Sequence, residues 1–325
     1  PLEIIDEYGA DALRYALVTG NAPGSDQRFQ KDKIEAGRNF INKIWNASRF
    51  VLMNFDDEMD FSGIGTGDLA LEDKWILSRL QTLKTEVPAN LDKYETGVAL
   101  GKIYSFLWED YCDWYIEIAK SRLYGGDAQE KADVSAVLIH VLKTSLKLLH
   151  PFMPFITEEI FTKLSDEPTI MLSAWPEQDE RFNAFSGDCA RMAQMMELIR
   201  SIRNLRAEMK VPPAQRIDVR LVVDAADADA FTSMTGYLGK LAGAEHVSVS
   251  TEAGEIPKND VHIVCEGVEA VIPLSSLIDP EKEKARILKE IDRVNGDILR
   301  ASGKLNNAGF LSKAPENLIE EERAK

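Results

Sequence analysis

Apolar residues recur at helical spacing through the first half of the chain and turn to alternation in the second, so the pattern predicts a helical bundle followed by a smaller mixed region. Leu2 to Val18 reads as a short acidic helix, closed by the turn-rich Asn21-Ala22-Pro23-Gly24-Ser25-Asp26. A long amphipathic helix comes next, with Ile34, Gly37, Ile41, Ile44, Ser48 and Leu52 on its core face. Residues 54–73 form a loop rich in Asp and Gly, and Leu71-Glu72-Asp73 opens another helix. From Val98 to Tyr124 one stripe holds Leu100, Ile103, Leu107, Tyr111, Trp114 and Ile118, and Gly125-Gly126 ends it. Ala132 to Leu149 is apolar over much of its circumference, as a central bundle helix must be. Pro151 stops it, and Pro154 begins a helix through Ile156, Ile160 and Leu164.

The pattern changes after Trp175-Pro176. A helix from about Asp188 to Lys210 ends at Pro212-Pro213, and Ile217, Val219, Leu221 and Val223 then alternate as a half-buried strand. A helix over Asp227 to Leu241 precedes three short alternating runs, His246 to Ser250, Val261 to Cys265 and Val268 to Pro273, the last two joined by Glu266-Gly267 as a tight hairpin. From Pro280 the apolar positions Ile287, Ile291, Val294, Ile298, Ala301 and Leu305 follow the spacing of a coiled-coil seam. Asn306-Asn307-Ala308-Gly309 breaks this helix, and Pro315 begins a second one. The expected division is a linker over 1–29, a helical bundle over 30–185, a small α+β domain over 186–279 and the start of a coiled-coil hairpin over 280–325.

Composition narrows the classes. The 325 residues exceed one ordinary core, at about 150 residues per domain. Three cysteines, Cys112, Cys189 and Cys265, lie too far apart for a zinc knuckle or a disulfide framework, which favours a reducing, cytoplasmic setting. No apolar run reaches a membrane span, and the N-terminus lacks a signal peptide's basic region and apolar core. The chain opens at Pro1 without an initiator Met, so it is expected to be part of a longer protein whose active residues lie elsewhere.

Lys+Arg number 38 against 54 Asp+Glu, a net charge of −16 that taken whole discourages a polyanionic partner. Counting by segment reverses that inference. From Arg28 to Arg49 there are six bases against Asp32 and Glu35, a net of +4. Arg200 to Arg220 (six bases against Glu208 and Asp218) and Lys282 to Lys313 (eight bases against four acids) are each +4 as well. On the first long helix Lys31, Arg38, Asn42 and Arg49 fall within about 40° of arc on the face opposite the apolar stripe, with Asn46 beside them, and Asn39 and Lys43 of the same helix are further candidate RNA contacts. Bases and amides on one ridge suit phosphates, 2′-hydroxyls and base edges. A solvated face would account for the bases, but three Asn have no stability reason to be in a helix. Arg203, Arg206 and Lys210 share one flank of their helix, where salt bridges to acidic neighbours explain them as well as RNA does. Arg286, Arg293 and Arg300 recur every seven residues beside the seam, as partners for Glu on a second helix or as a basic ridge. Trp108, Tyr111, Trp114 and Tyr115 are better read as bundle packing than as a base-stacking platform, since two of them lie on the core stripe. The four histidines have no ligand spacing, and no Gly-rich phosphate loop, Gly-x-Ser-x-Gly elbow or His-Glu-x-x-His helix occurs.

These residues resemble a known family. Pro1-Leu2-Glu3-Ile4-Ile5-Asp6-Glu7-Tyr8-Gly9-Ala10-Asp11-Ala12-Leu13-Arg14 is similar to the segment after the Lys-Met-Ser-Lys-Ser loop of class I aminoacyl-tRNA synthetases of the Val/Ile/Leu group. Arg38-Asn39-Phe40-Ile41-Asn42-Lys43-Ile44-Trp45-Asn46-Ala47-Ser48-Arg49-Phe50 resembles the first anticodon-domain helix of that group. Asp113-Trp114-Tyr115-Ile116-Glu117 and His150-Pro151-Phe152-Met153-Pro154-Phe155 resemble its later helices. Ala207-Glu208-Met209-Lys210-Val211-Pro212-Pro213 and Phe310-Leu311-Ser312-Lys313-Ala314-Pro315 resemble the valyl branch, the second as the turn of a C-terminal coiled-coil hairpin.

The resemblance implies a mainly α fold: an anticodon-binding helical bundle, a small α+β domain and a truncated coiled-coil arm. It implies tRNA(Val) as partner, bound through the three basic blocks, and no membrane. The parent ligase would use ATP and Mg, with no cofactor in this stretch. The His-Ile-Gly-His type motif, the Lys-Met-Ser-Lys-Ser loop and the editing insertion are absent, so the chain is expected to hold tRNA without charging it. The parent is expected to be a monomer, and the unpaired seam of this stretch is expected to pair two copies of it. Two rivals stay open: the same region of an isoleucyl or leucyl enzyme, against which the hairpin turn and the missing zinc-type cysteines argue, and a non-enzymatic helical interaction protein.

Overall fold

The computed structural model describes residues 1–20, 29–54, 65, 69–183, 185–252, 254, 260–278, 280–306, 315 and 320. The predicted turn at Asn21–Asp26, most of the loop over 54–73, the break from Asn307 and the helix from Pro315 lie outside them. The chain divides into two compact units, Pro1–Ala193 and Gln194–Lys325.

The first unit is all-helical. It runs through α1 (Leu2–Tyr8), α2 (Ala10–Val18), α3 (Lys31–Leu52), α4 (Leu71–Leu91), α5 (Thr96–Ser105), a π-helical stretch Phe106–Tyr115, α6 (Ile116–Gly125), α7 (Ala128–Leu149) and α8 (Pro154–Phe161). The division between units falls inside α9 (Ser186–Glu208). The single helix expected from Leu2 to Val18 is two, because Gly9 takes φ 88°, a left-handed conformation that ends one helix and starts the next. α7 starts four residues earlier than expected. Asp127 accepts the Glu130 amide at 2.9 Å and Glu130 reaches back to the Asp127 amide at 3.2 Å, a capping box that the apolar stripe does not reveal.

On α3 the buried face is Ile34, Gly37, Phe40, Ile44, Ser48 and Val51, with Ile41 and Leu52 half-buried. The inward face is thus turned roughly 30° from the one expected. Phe40 draws it round. Its ring lies 4.7 Å from Tyr104 and 5.9 Å from Tyr15, and Tyr104 stacks on Trp108 at 5.4 Å. Gly37 sits where an added Cβ would be 3.0 Å from the Ala12 carbonyl and from the Tyr15 ring, so α2 and α3 touch backbone to backbone.

The stripe through Leu107, Tyr111 and Trp114 is buried as expected, and Tyr115 with it. The backbone there is π-helical, with i→i+5 bonds that widen the turn. The Tyr111 hydroxyl donates to the Leu138 carbonyl at 2.9 Å, a core role and not a stacking one.

Two polar clasps hold this unit. Asp73, fully buried, accepts from the Tyr115 hydroxyl and from Arg122 Nη1, each at 2.6 Å, and from the Ala70 amide at 3.2 Å. Arg122 Nη1 also meets the buried Glu72 at 3.2 Å. Asp11, on α2, accepts the amides of Phe155 and Ile156 at 3.3 and 2.7 Å, capping α8 from 144 residues away because Met153 at its own N-cap cannot. Arg14 donates to the carbonyls of Phe152 and Pro151, both at 2.9 Å. Burial raises the Asp11 carboxyl above the ordinary carboxylate range, and the two amides oppose it.

The second unit places a four-stranded sheet beside the latter part of α9. Its strands are β1 (Ile217–Val223), β2 (Ala244–Ser250), β3 (Val261–Cys265) and β4 (Val268–Ile272), in the order β2-β1-β4-β3. β1 and β2 are parallel; the other pairs are antiparallel. The pairing of Cys265 with Val268 makes Glu266-Gly267 the two-residue hairpin expected, with Gly267 at φ 74°. The helix expected over Asp227–Leu241 is broken into α10 (Ala228–Ser233), α11 (Thr235–Tyr237) and a π turn, Leu238–Ala242. The short α12 (Leu274–Leu277) precedes the arm helix α13 (Pro280–Leu305). Among the described residues no helix is long and apolar enough to cross a membrane.

Removing the Asp73 carboxylate would leave the Tyr115 hydroxyl buried without its acceptor and the half-buried Arg122 charge with only the longer contact to Glu72. Asp73→Ala is therefore expected to cost about 3–5 kcal/mol of stability, read from urea unfolding of the whole chain. A loss under about 1 kcal/mol would show that water replaces the carboxylate.

Candidate nucleic-acid interface

The sequence of α3 alternates a buried apolar row with a polar row on the opposite side, and the fold leaves that second row in solvent. Lys31, Arg38, Asn39, Asn42, Asn46 and Arg49 are all exposed. Asn39, Asn42, Asn46 and Arg49 make no side-chain hydrogen bond or ion pair with another described residue. The N-terminal end is steadied by α1: the Arg38 guanidinium lies 5.1 Å and the Lys31 ammonium 5.6 Å from the Tyr8 ring, and Lys31 sits 3.7 Å from Glu7. The Tyr8 hydroxyl, with the charge of Glu7, raises the Lys31 amine above its ordinary range, so it stays charged.

Lys43 departs from this row. It turns to the shoulder of the helix, 2.5 Å from Asp113 and 4.0 Å from the Trp108 ring, which ties α3 to the π-helical stretch. Trp45 was not among the expected residues. Its side chain is 36% exposed, and at 100° per residue it lies within about 40° of Arg38 and Arg49. An indole flanked by guanidinium groups is a platform on which an unpaired base can stack. The same helical projection that grouped the bases would have found it.

The second block is divided by the fold. Arg206 is buried, and its Nη2 donates to the carbonyls of Gln215, Pro212 and Pro213 at 2.9, 3.1 and 3.4 Å. Its other nitrogen is packed where a Cβ on Gly243, at φ 74°, would come within 2.8 Å. Burial, then the charge of Arg216, pull its pKa down. Neither the RNA contact nor the acidic salt bridge expected of Arg206 describes it: this guanidinium organises the loop after α9. Arg203 is exposed but donates to the Leu241 carbonyl at 2.6 Å. Lys210 is exposed at φ 54°, and its neighbour's amide, from Val211, donates to the Arg206 carbonyl at 2.8 Å, while its own donates to Ala207 at 3.1 Å. That is a Schellman ending with Lys where Gly is usual.

In the third block Arg293 and Arg300 are exposed and bonded to Glu290 and Asp297 of their own helix, at 2.5 and 2.6 Å. The Arg286 side chain lies outside the described residues. Along the seam Ile287, Ile291, Val294 and Ile298 are 43–51% exposed. Among the described residues no group of three His, Cys, Asp or Glu side chains is placed to hold a metal ion.

Comparison with known proteins gives the family. Residues 73–221 match the anticodon-binding domain of tRNA ligase, and residues 279–325 match the valyl tRNA synthetase tRNA binding arm. The chain therefore belongs to the class I aminoacyl-tRNA synthetases. It is 50% identical over 326 residues to the valine–tRNA ligase of Clostridium perfringens, 47% over 326 to that of Clostridium acetobutylicum and 46% over 335 to that of Carboxydothermus hydrogenoformans. Each match takes in 100% of this chain and 37% of the relative's length. Within the class, then, the chain corresponds to the C-terminal anticodon-binding and arm region of these valine–tRNA ligases, and it spans little more than a third of their length.

A left-handed backbone costs a β-carbon about 1 kcal/mol that glycine avoids. Lys210→Gly should raise the stability of the whole chain by about that amount, seen as a higher urea midpoint. A lower midpoint would mean that the Lys210 side chain stabilises the loop more than its backbone strains it.

Proposed function

We propose that the outer row of α3 binds tRNA, tRNA(Val) in view of the family, and so positions it for ATP-dependent aminoacylation with valine by the catalytic part of the parent ligase. The observation that carries this is a set of exposed bases, amides and one indole on a single helix face, in a chain whose net charge is −16. Lys31, Arg38 and Arg49 would take phosphates; Asn39, Asn42, Asn46 and Trp45 would take base edges and faces. Arg203, Lys210, Arg286, Arg293 and Arg300 would add contacts along the rest of the RNA, Arg293 and Arg300 by exchanging their intrahelical carboxylates for phosphate. Lys43 and Arg206 serve the fold on this reading. ATP and Mg would act in the catalytic part, in the cytoplasm. The chain would divide into a stem-contact segment over 1–29, the anticodon-binding bundle over 30–185, the α+β domain over 186–279 and the arm over 280–325.

In filter binding with tRNA(Val), the Arg38→Ala, Arg49→Ala double variant should bind at least tenfold more weakly than wild type, with a salt dependence shallower by about 1–2 in log–log slope. Unchanged affinity and slope would remove α3 from the interface.

We also propose that two copies of the chain pair through the seam of α13, whose four central apolar side chains are half-exposed. Sedimentation should then show a dimer that Ile291→Lys converts to monomer. A wild-type monomer at all concentrations would overturn the pairing.

A further inference from the structure

The first unit has a second basic constellation that no charge count along the chain reveals, because its members come from two helices. α4 contributes Lys84; α7 contributes His140, Lys143 and Lys147 on one face, at the i, i+3, i+7 spacing. Together they line a cavity of about 390 Å3, within the ~300–1,000 Å3 of small-molecule sites. We propose that this cavity binds a phosphate group.

Lys84 is the observation that points to a ligand. It is 6% exposed, lines the cavity, and makes no hydrogen bond or ion pair with any described residue. An ammonium that opens only onto a half-enclosed cavity is poorly hydrated, and an anion entering the cavity would relieve that. The carboxylate whose charge it feels is Asp179, and Asp179 is already engaged by Arg181 at 2.6 Å. Lys143 and Lys147, one turn apart, lie over the Phe161 ring at 5.9 and 5.5 Å, which holds both stems against the wall of the bundle. Lys147 meets Glu167 at 3.8 Å, too long for a good hydrogen bond, while Glu167 accepts from the Ser173 hydroxyl at 2.5 Å. The remaining acid at the cavity, Glu177, is exposed.

Like charges converging in a half-enclosed space destabilise one another. Burial lowers the Lys84 amine, and burial followed by the charge of Lys147 lowers that of Lys143. Burial, then the charge of Lys84, pull His140 down to about 4, so it is neutral at physiological pH and can donate or accept a hydrogen bond. An entering phosphate would add to the counter-charge that Asp166, Glu167 and Asp179 already supply and accept from the ammonium groups lining the cavity, each acting as the point charge for which lysine is suited. The phosphate could be a free anion, inorganic or carried on a small metabolite, or a phosphodiester of bound RNA; the pocket chemistry is shared.

The test titrates the whole chain with inorganic phosphate in a phosphate-free buffer, by calorimetry and by thermal melting. Wild type should show saturable binding with a rise in melting temperature. Lys84→Met should weaken that binding at least tenfold while remaining folded, since methionine suits the buried stem. Lys143→Gln gives the same readout from the other helix should Lys84→Met fail to fold. Filter binding of tRNA to the same variants separates the sources. Loss of phosphate binding with tRNA affinity unchanged identifies a free phosphate ligand. A parallel tenfold loss of tRNA affinity, with phosphate competing against tRNA, identifies an RNA phosphodiester. Absence of saturable phosphate binding by wild type, or equal binding by wild type and both variants, overturns the site. The phosphate titration contains no RNA, so it stands or falls independently of α3.

Discussion

The buried carboxylate of Asp73 is the constraint on which the bundle depends. It sits in the first turn of α4, yet its partners come from the residue before that helix, from the end of the π-helical stretch and from α6. A fully desolvated charge is tolerable only when its lone pairs are filled, and each group that fills them belongs to a different segment. Burial and the adjoining carboxylate raise the Tyr115 phenol well above its ordinary range, so it is a donor at neutral pH. The geometry of Asp73 thus fixes where α6 lies relative to α4, and the widened turn between them lets Tyr111 and Tyr115 both point inward. α7 closes on this frame through the Tyr111 hydroxyl and the Leu138 carbonyl.

The exposed row on α3 follows from that frame. Phe40 enters the aromatic column of Tyr15, Tyr104 and Trp108, and this rotates the helix so that its Asn-rich side faces away from the bundle. Lys43, clamped by Asp113 and Trp108, marks the border between the packed and open faces. The clasp of Asp11 and Arg14 on the start of α8 explains in physical terms why the opening segment and His150-Pro151-Phe152-Met153-Pro154-Phe155 carry distinctive sequences. One supplies a cap and a cation; the other leaves unpaired amides and carbonyls that need them.

Elements with a long, one-sided apolar pattern were legible in the sequence: α3, the helices around Tyr111, α7 and the alternating strands all lie where periodicity puts them. The family was legible too, and the comparisons bear it out. What escaped was set by single residues or by distant ones. The break at Gly9 needs one positive φ, and an apolar count passes over it. The start of α7 is written in Asp127 and Glu130, a polar signal that hydrophobic spacing ignores. The π-helical turns leave the one-stripe pattern nearly unchanged. Trp45 lies on neither the apolar stripe nor the row of bases, so a count of either type passes over it.

The basic blocks show the limit of charge arithmetic more sharply. Six bases between Arg200 and Arg220 look like a phosphate-binding segment, but a guanidinium has five donors and a chain leaving a helix has several bare carbonyls. Arg206 resolves that local shortage by bonding three of them, and Arg203 and Arg216 each take another, from Leu241 and Gly239. Cations in the last turns of a helix or just beyond its end are therefore apt to be absorbed by backbone, whereas those in mid-helix, where every carbonyl already has its amide, have no such outlet. α3 is the block of the second kind. A net of +4 means different things in the two places, and the difference lies in the hydrogen-bond needs of the neighbouring backbone. The same principle works in reverse for Lys84. It lies mid-helix without a carbonyl or carboxylate to absorb it, and its charge stays available to whatever enters the cavity.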